Sequence, residues 1–580
     1  MALSLSAKPS LMTASPVLMD AAPGARVRRG LRWPRGWPSG WAVLAGTLAL
    51  LFAFPVAMVV LLALAPSAGV WRHLADTVLS RYVINSLLLM LGVGGGTLVV
   101  GVACAWLVTM CRFPGRRFFE WALFLPMAVP AYVLAYTYTG LLDVTGPVQQ
   151  GLRTLTGWAV QDYWFPPVRS LGGAVTMLVL VLYPYVYLLA RAAFLEQSVC
   201  VLEIGRTLGR GAWSGFFRLA LPLARPAIAT GVALAIMETL GDFGTVQYFA
   251  VDTFTTGIFR TWLGMGNPAA AAQLAAILLL FIAGCVLVER RSRRDARFHH
   301  TSTRYRPLPR HELAGGRAYA ATLACLLPIL LGFVVPAVQL VLWASAGADQ
   351  LDARFFATAG NSLLLASITA FAAVALAVLL AYGMRLGPTP FQRLATRASG
   401  LGYAIPGSVV AVGVLMPFSW IDNLLDAWTR ATFGISVGLL LSGTIFALIF
   451  AYLVRFLAIA FNTVEASLAK VTPSMDAAAR SLGQSPVATL WRVHMPMMGG
   501  SLLTAGLLVF VDVMKELPAT LIMRPFDFDT LAVKAFELAS DERLAEAALP
   551  ALAIVTVGIV PVILLSRAIS RARPGAHPAA

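Results

Sequence analysis

Arg206-Thr-Leu-Gly209, nine residues, then Leu219-Ala-Leu-Pro222: the pattern is written a second time as Arg480-Ser-Leu-Gly483, nine residues, then Val493-His-Met-Pro496. From Gly209 to Gly483, and again from Pro222 to Pro496, the offset is 274 residues. Upstream, Asn85-Ser-Leu-Leu-Leu89 recurs as Asn361-Ser-Leu-Leu-Leu365 at an offset of 276. Matches at nearly constant spacing mark a tandem duplication, so each copy is expected to form one structural half.

Composition says what the halves are made of. Of 580 residues, 59% are hydrophobic and only 12% charged, a balance that excludes a soluble globular protein. Apolar runs long enough to cross the ~30 Å hydrocarbon layer fall at 41–65, 83–110, 119–142, 171–190, 226–249, 269–288, 319–346, 361–384, 398–418, 435–461, 499–523 and 547–565. That is six per half. An even number brings both halves into the membrane the same way round, related by an axis along the membrane normal rather than inverted. The expected fold is an all-α polytopic membrane protein with about 12 transmembrane helices in two parallel six-helix repeats.

The net charge of +17 reports topology rather than nucleic-acid binding, because no basic and aromatic platform stands outside the spans. Arginines gather in alternate connections. The linker 289–317 holds Arg290, Arg291, Arg293, Arg294, Arg297, Arg304, Arg306, Arg310 and Arg317, whereas the loop 524–546 holds Asp527, Asp529, Glu537, Asp541, Glu542 and Glu546. By the positive-inside rule both termini and the linker are expected in the cytoplasm. The organisation expected is a basic tail 1–40, a first half 41–288 with a long loop 195–222, the linker 289–317, a second half 318–566 with a long loop 462–498, and a tail 567–580. Residues 1–40 lack the apolar core of a signal peptide. Cys104, Cys111, Cys200, Cys285 and Cys325 lie in or beside apolar runs without metal-ligand spacing and are read as small core residues.

The two long loops exceed what a helix connection needs and read as docking surfaces. They resemble the EAA loop (Glu-Ala-Ala, three residues, Gly, nine residues, Ile-x-Leu-Pro) of ATP-binding-cassette importer permeases. That resemblance implies the type I importer permease fold and a short coupling helix in each loop, seated on an ATPase subunit. The residues it carries onto this role are Glu203, Arg206, Gly209 and Pro222 in the first loop and Asp476, Arg480, Gly483 and Pro496 in the second. Two departures stand out: Glu203 is followed by Ile204-Gly205, and the second loop has Ala477 at the family's Glu position with Asp476 one place earlier. The implied partners are two copies of a nucleotide-binding subunit, a periplasmic binding protein and the bilayer of the bacterial inner membrane. No GxxxxGK[ST] loop occurs, so ATP and Mg are expected to belong to the partner, with no cofactor, metal or catalytic residue in this chain.

Four acids interrupt the apolar runs. Glu238 and Asp242 stand four apart in the fifth run, and the 274 offset lands on Asp512 and Glu516 in the eleventh. That spacing puts Glu238 and Asp242 on one helix face, and the acidic pair is duplicated in the second half. Counting from Pro222, Glu238 lies about 24 Å along, where an ionised group needs water or a partner. One reading is structural pairing, with Lys515 or an arginine; the other is a path lined by hard oxygen ligands, suited to a small, highly charged cation such as ferric iron. Tyr132, Tyr136 and Tyr138, after Pro126 and Pro130, could add phenolic oxygens to such a path, but are read first as an interfacial aromatic belt. The run from Met237 to Trp262 and the segments Val513–Thr520 and Arg524–Thr530 resemble the fused permease of ferric-iron uptake systems. Permeases for thiamine, aminoalkylphosphonate and polyamines share the fold and loops. Outside the class, a secondary transporter could use the acids as a proton relay but needs no paired docking loops, and an enzyme would need a catalytic cluster that is not visible.

Overall fold

A computed structural model of the chain describes residues 40–67, 69–196, 212–294, 310–346, 351–386 and 400–571, with 390, 393 and 396. Among the described residues eleven helices are long and apolar enough to cross a membrane: Val43–Ala63, Leu79–Met110, Leu171–Leu195, Phe216–Gly241, Pro268–Glu289, Gly316–Ala346, Ala353–Leu386, Gly407–Phe433, Ile445–Leu468, Pro486–Met514 and Leu544–Leu564. The twelfth, third in order, is broken: Arg116–Ala128 and Ala131–Thr156 meet at 90°. Pro126 and Pro130 cause the bend, since each lacks an N–H and restricts the residue before it. The run 119–142 therefore does not form one straight span.

Other differences have equally local causes. The ninth span starts at Gly407, after Pro406, and continues to Phe433, not from 398 to 418. The tenth starts at Ile445, because the connection before it turns through Gly434, Gly438 and Gly443, all at positive φ. The fifth and eleventh helices stop at Gly241 and Met514, well short of 249 and 523. Each gives way to a short helix, Gly244–Tyr248 in one half and Pro518–Met523 in the other. The duplication thus extends to the position of a helix break.

The repeated Asn-Ser-Leu-Leu-Leu motif is structural. Asn85 donates to the Asp252 carbonyl at 2.8 Å, and Asn361 donates to the Asp529 carbonyl at 3.2 Å. Both acceptors precede a threonine, Thr253 or Thr530, that caps the next helix. In each half this pins the loop beyond the helix break to the second span of that half.

Each half sends its opening span across to the other. The first span packs on the sixth, eighth and ninth, and Phe52 stacks on Phe450 with ring centroids 6.1 Å apart. The seventh packs on the second, third and fourth, and the Leu331 carbonyl accepts a 2.6 Å bond from Tyr138. Gly413 makes the first crossing possible: a Cβ there would lie 2.3 Å from the Pro55 carbonyl oxygen. Gly413→Leu should push the first span off the second half and cost about 1–3 kcal/mol. Thermal unfolding of the purified chain in detergent checks it, and an unchanged midpoint would contradict the crossing.

Candidate functional site

Residues 197–211 of the first docking loop, with Glu203, Arg206 and Gly209, lie outside the described residues. The second is described throughout. Pro473 opens a helix to Ser481, which ends in a Schellman motif: Gln484 N–H bonds the Ala479 carbonyl and Gly483 N–H the Arg480 carbonyl, both at 3.0 Å. Gly483 has φ +73°, so the family's glycine is a left-handed helix stop. Around that stop Leu482 is 77% exposed, and Met475 and Arg480 are exposed too, leaving an apolar and basic tip free to enter a partner's cleft. Gly483→Val meets open space but strains the backbone. On the coupling role that the resemblance implies, it should leave the chain folded while transport per ATP hydrolysed falls about tenfold, a ratio measurable in reconstituted vesicles.

The terminating prolines also have a local reason. In both halves a single π turn, Phe216–Ala220 or Leu490–His494, precedes a helix whose second residue is Pro222 or Pro496. Proline offers no N–H, and the wider turn absorbs the interrupted ladder.

Asp476 turns inward rather than toward the tip. One carboxylate oxygen accepts from Arg385 Nε at 2.8 Å and the other lies 2.7 Å from His494 Nε2. Arg385 also donates to the Leu468 and Val471 carbonyls at 2.6 and 2.8 Å, and His494 is fully buried beside Tyr382. The clasp joins the helix Pro473–Ser481 to the end of the eighth span and to the root of the eleventh. Partial burial raises the Asp476 pKa, but the hydrogen bonds and charges of Arg385 and His494 outweigh this and hold it below the usual carboxylate value.

The four membrane acids meet in one place. Glu238, Asp242, Asp512 and Glu516 all line a cavity of about 110 Å³ between the halves, with Tyr132, Tyr185, Tyr403, Arg455 and Lys515. The sequence expectation of paired acids on one helix face does not hold, because Asp242 and Glu516 sit just beyond the helix ends. There each caps the next short helix: Asp242 accepts from Val246 N at 3.0 Å, and Glu516 from Ala519 N at 3.2 Å. Lys515 Nζ lies 2.8 Å from Asp512. Arg455 pairs with Glu516 and lies 3.9 Å from Glu238 of the other half. Gly407 leaves room for this pair, since a Cβ would fall 2.4 Å from Glu516 Oε1.

Sequence reasoning missed Arg455. Its counterpart 274 residues earlier is Val181, and that of Lys515 is Gly241, so both cations belong to the second half while the acids belong to both. The signal was available: one arginine inside an apolar run, with unmatched acids elsewhere in the membrane. The tyrosines form no interfacial belt. Tyr132, Tyr136 and Tyr138 are 5%, 1% and 6% exposed, and Tyr136 donates to the Ala547 carbonyl at 3.3 Å. Tyr132 lines the cavity, and its hydroxyl has no hydrogen-bond partner among the described residues. Among the described residues no group of three or more His, Cys, Asp or Glu side chains is arranged to hold a metal. Cys104, Cys111 and Cys325 are buried free thiols, Cys285 is partly buried, and Cys200 lies outside the described residues.

Comparison with known proteins places this geometry in a family. The model of the family described as binding-protein-dependent transport system inner membrane component matches residues 97–293. The molybdenum transport system permease protein ModB of Escherichia coli is 30% identical over 189 residues, 79% of that protein and 31% of this chain. The sulfate transport system permease protein CysT of Escherichia coli is 32% identical over 206 residues, 72% of that protein and 34% of this chain. The Fe(3+)-transport system permease protein FbpB 2 of Haemophilus influenzae is 27% identical over 488 residues, 89% of that protein and 83% of this chain. The chain belongs to the binding-protein-dependent transport system inner membrane component family. It is a multi-pass inner-membrane permease subunit of an ABC importer, with two halves fused in one polypeptide.

Proposed function

We propose that this permease moves ferric iron, delivered by a periplasmic binding protein, through the cavity between its halves into the cytoplasm. The observation that carries the reading is the charge of that cavity: four carboxylates face two cations, so with all six ionised it keeps an excess of two negative charges. Such a field favours a cation and opposes an oxyanion such as molybdate or sulfate. The likeness to the Fe(3+) permease runs nearly end to end, whereas the molybdenum and sulfate permeases match about a third of the chain. Among the described residues Glu238 and Asp242 form no ion pair with a cation of their own half, and they are the acids a passing ion meets; Arg455 and Lys515 are tethered counter-ions that hold the second pair while no ion is present.

In this reading two copies of an ATPase subunit, which bind ATP and Mg, dock on the loops 195–222 and 462–498. The halves span 41–288 and 318–566, and the tails 1–40 and 567–580 and the linker 289–317 face the cytoplasm. Reporter fusions after Arg297 and at the C-terminus should then read cytoplasm, and one at Asp541 periplasm.

Glu238→Gln combined with Asp242→Asn should lower ferric uptake about tenfold, the effect of about 1.4 kcal/mol of lost charge interaction. The complex should still assemble and its ATPase still respond to loaded binding protein. Wild-type uptake by a well-assembled mutant carrying neutral residues at all four positions would remove the acids from the path.

A further inference from the structure

A second cleft, of about 350 Å³, opens where the second span ends and the third begins. Its lining is Arg112, Phe113, Gly115, Arg116, Arg117, Phe118 and Arg310. Four guanidinium groups converge here from two distant parts of the chain. Residues Cys111–Arg112 and His311–Glu312 pair as short parallel strands, Leu313 N donates to the Arg112 carbonyl at 3.1 Å, and Arg310 Nε donates to the Thr109 carbonyl at 3.4 Å. Two carboxylates stand nearby. Glu312 is 2.9 Å from Arg112 in an exposed pair, and Glu120 pairs with Arg116 and lies 3.9 Å from Arg191. Arg117 has no carboxylate within ion-pair distance among the described residues. Even with Arg112 and Arg116 paired to these acids, Arg117 leaves the described lining positively charged.

We propose that this cleft binds the phosphate headgroup of an anionic phospholipid. The site has the size of a small-molecule pocket and a donor set matched to phosphate oxygens, several guanidinium forks on one concave surface. Its depth is the membrane interface: Met110 ends one span, Arg116 begins the next, and Phe118 and Trp121, both exposed, meet edge to face 5.4 Å apart. It lies at the coupling-loop end, because Trp106 of the same region packs on Phe194 and Phe216, which flank the first coupling loop. Basic pockets between transmembrane helices at that level bind anionic headgroups. A docked ATPase is disfavoured by the repeat itself. The equivalent positions of the second half read Pro388-Thr-Pro-Phe-Gln-Arg393, with one arginine in place of Arg112, Arg116 and Arg117, whereas the coupling loops occur in both halves. The cleft also ties the linker between the halves to the membrane surface.

Native mass spectrometry of the full chain in detergent, titrated with phosphatidylglycerol or phosphatidylcholine, tests the proposal. Wild type should retain one phosphatidylglycerol in preference to phosphatidylcholine. Arg117→Gln with Arg310→Gln should bind it roughly 30-fold more weakly, while the Arg117→Lys, Arg310→Lys pair should stay within about threefold of wild type. If the glutamine pair does not fold, Arg117→Gln alone serves, because that exposed side chain has no carboxylate partner to lose. Equal retention of phosphatidylglycerol by the glutamine variant overturns the site. Displacement of the lipid by millimolar inorganic phosphate assigns it to a soluble oxyanion and overturns the lipid source. Loss of co-purifying ATPase at unchanged lipid retention makes it a subunit contact and overturns the proposal as well.

Discussion

Arg455→Leu is expected to cost about 3–5 kcal/mol, because it strips the only cation paired with Glu516 among the described residues and leaves that carboxylate buried between the halves. The other Glu516 oxygen accepts from Ala519 N in the helix Pro518–Met523, which holds the carboxylate in place. The loss should appear as a lower unfolding temperature and a smaller yield of monodisperse protein. Removing both charges separates stability from transport. In Arg455→Leu with Glu516→Leu no buried charge is stranded and the cavity keeps its excess of two negative charges, so most of the stability should return, while uptake stays below wild type because one of the four path carboxylates is gone. A single Arg455→Leu variant as stable as wild type would show that the ion pair does not hold the halves together.

Asp476→Ala should uncouple the importer more completely than any change at the tip of the coupling helix. Arg385 keeps its bonds to the Leu468 and Val471 carbonyls, so the end of the eighth span survives. The coupling helix loses its tie to that span, and fully buried His494 loses its Nε2 partner. The stability cost is about 1–3 kcal/mol, the scale of a buried donor left unsatisfied. The expected result is folded complex that hydrolyses ATP with little transport, and Asp476→Asn should recover part of the coupling. Because the folded Asp476 pKa is depressed, its stabilising contribution is fully present above about pH 4 and is lost as pH falls through the lowered value. Coupling should therefore not change across the neutral range on account of this carboxylate. Unchanged transport per ATP in Asp476→Ala would sink the clasp as a transmission element.

What the sequence made legible follows from the kind of signal each feature leaves. Twelve spans and their parallel duplication could be read because apolar length and repeated motifs are properties of the chain alone. The helix breaks at Asp242 and Glu516 could not, because Phe243, Val246 and Tyr248 continue the apolar run past the point where the helix gives way. Hydropathy registers burial but not which carbonyl an N–H meets. The third span's bend could have been inferred from Pro126 and Pro130. The tyrosines were misplaced because a belt and a core site have the same composition; only the crossing of the seventh span, which brings the Leu331 carbonyl to Tyr138, distinguishes them. Asp476 likewise could be recognised as part of the loop, but its inward turn depends on Arg385, 91 residues earlier in the chain.

The transport proposed here runs along an acidic path between the two halves and carries ferric iron under the control of an ATPase on the coupling loops. It is tested most directly in proteoliposomes holding the full chain with its ATPase, given binding protein loaded with radiolabelled ferric iron outside and ATP inside. Wild type should accumulate label in an ATP-dependent manner, and Glu238→Gln, Asp242→Asn about tenfold less at undiminished ATP hydrolysis. Vesicles that exclude the iron yet accumulate molybdate or sulfate from the corresponding loaded binding protein would contradict it.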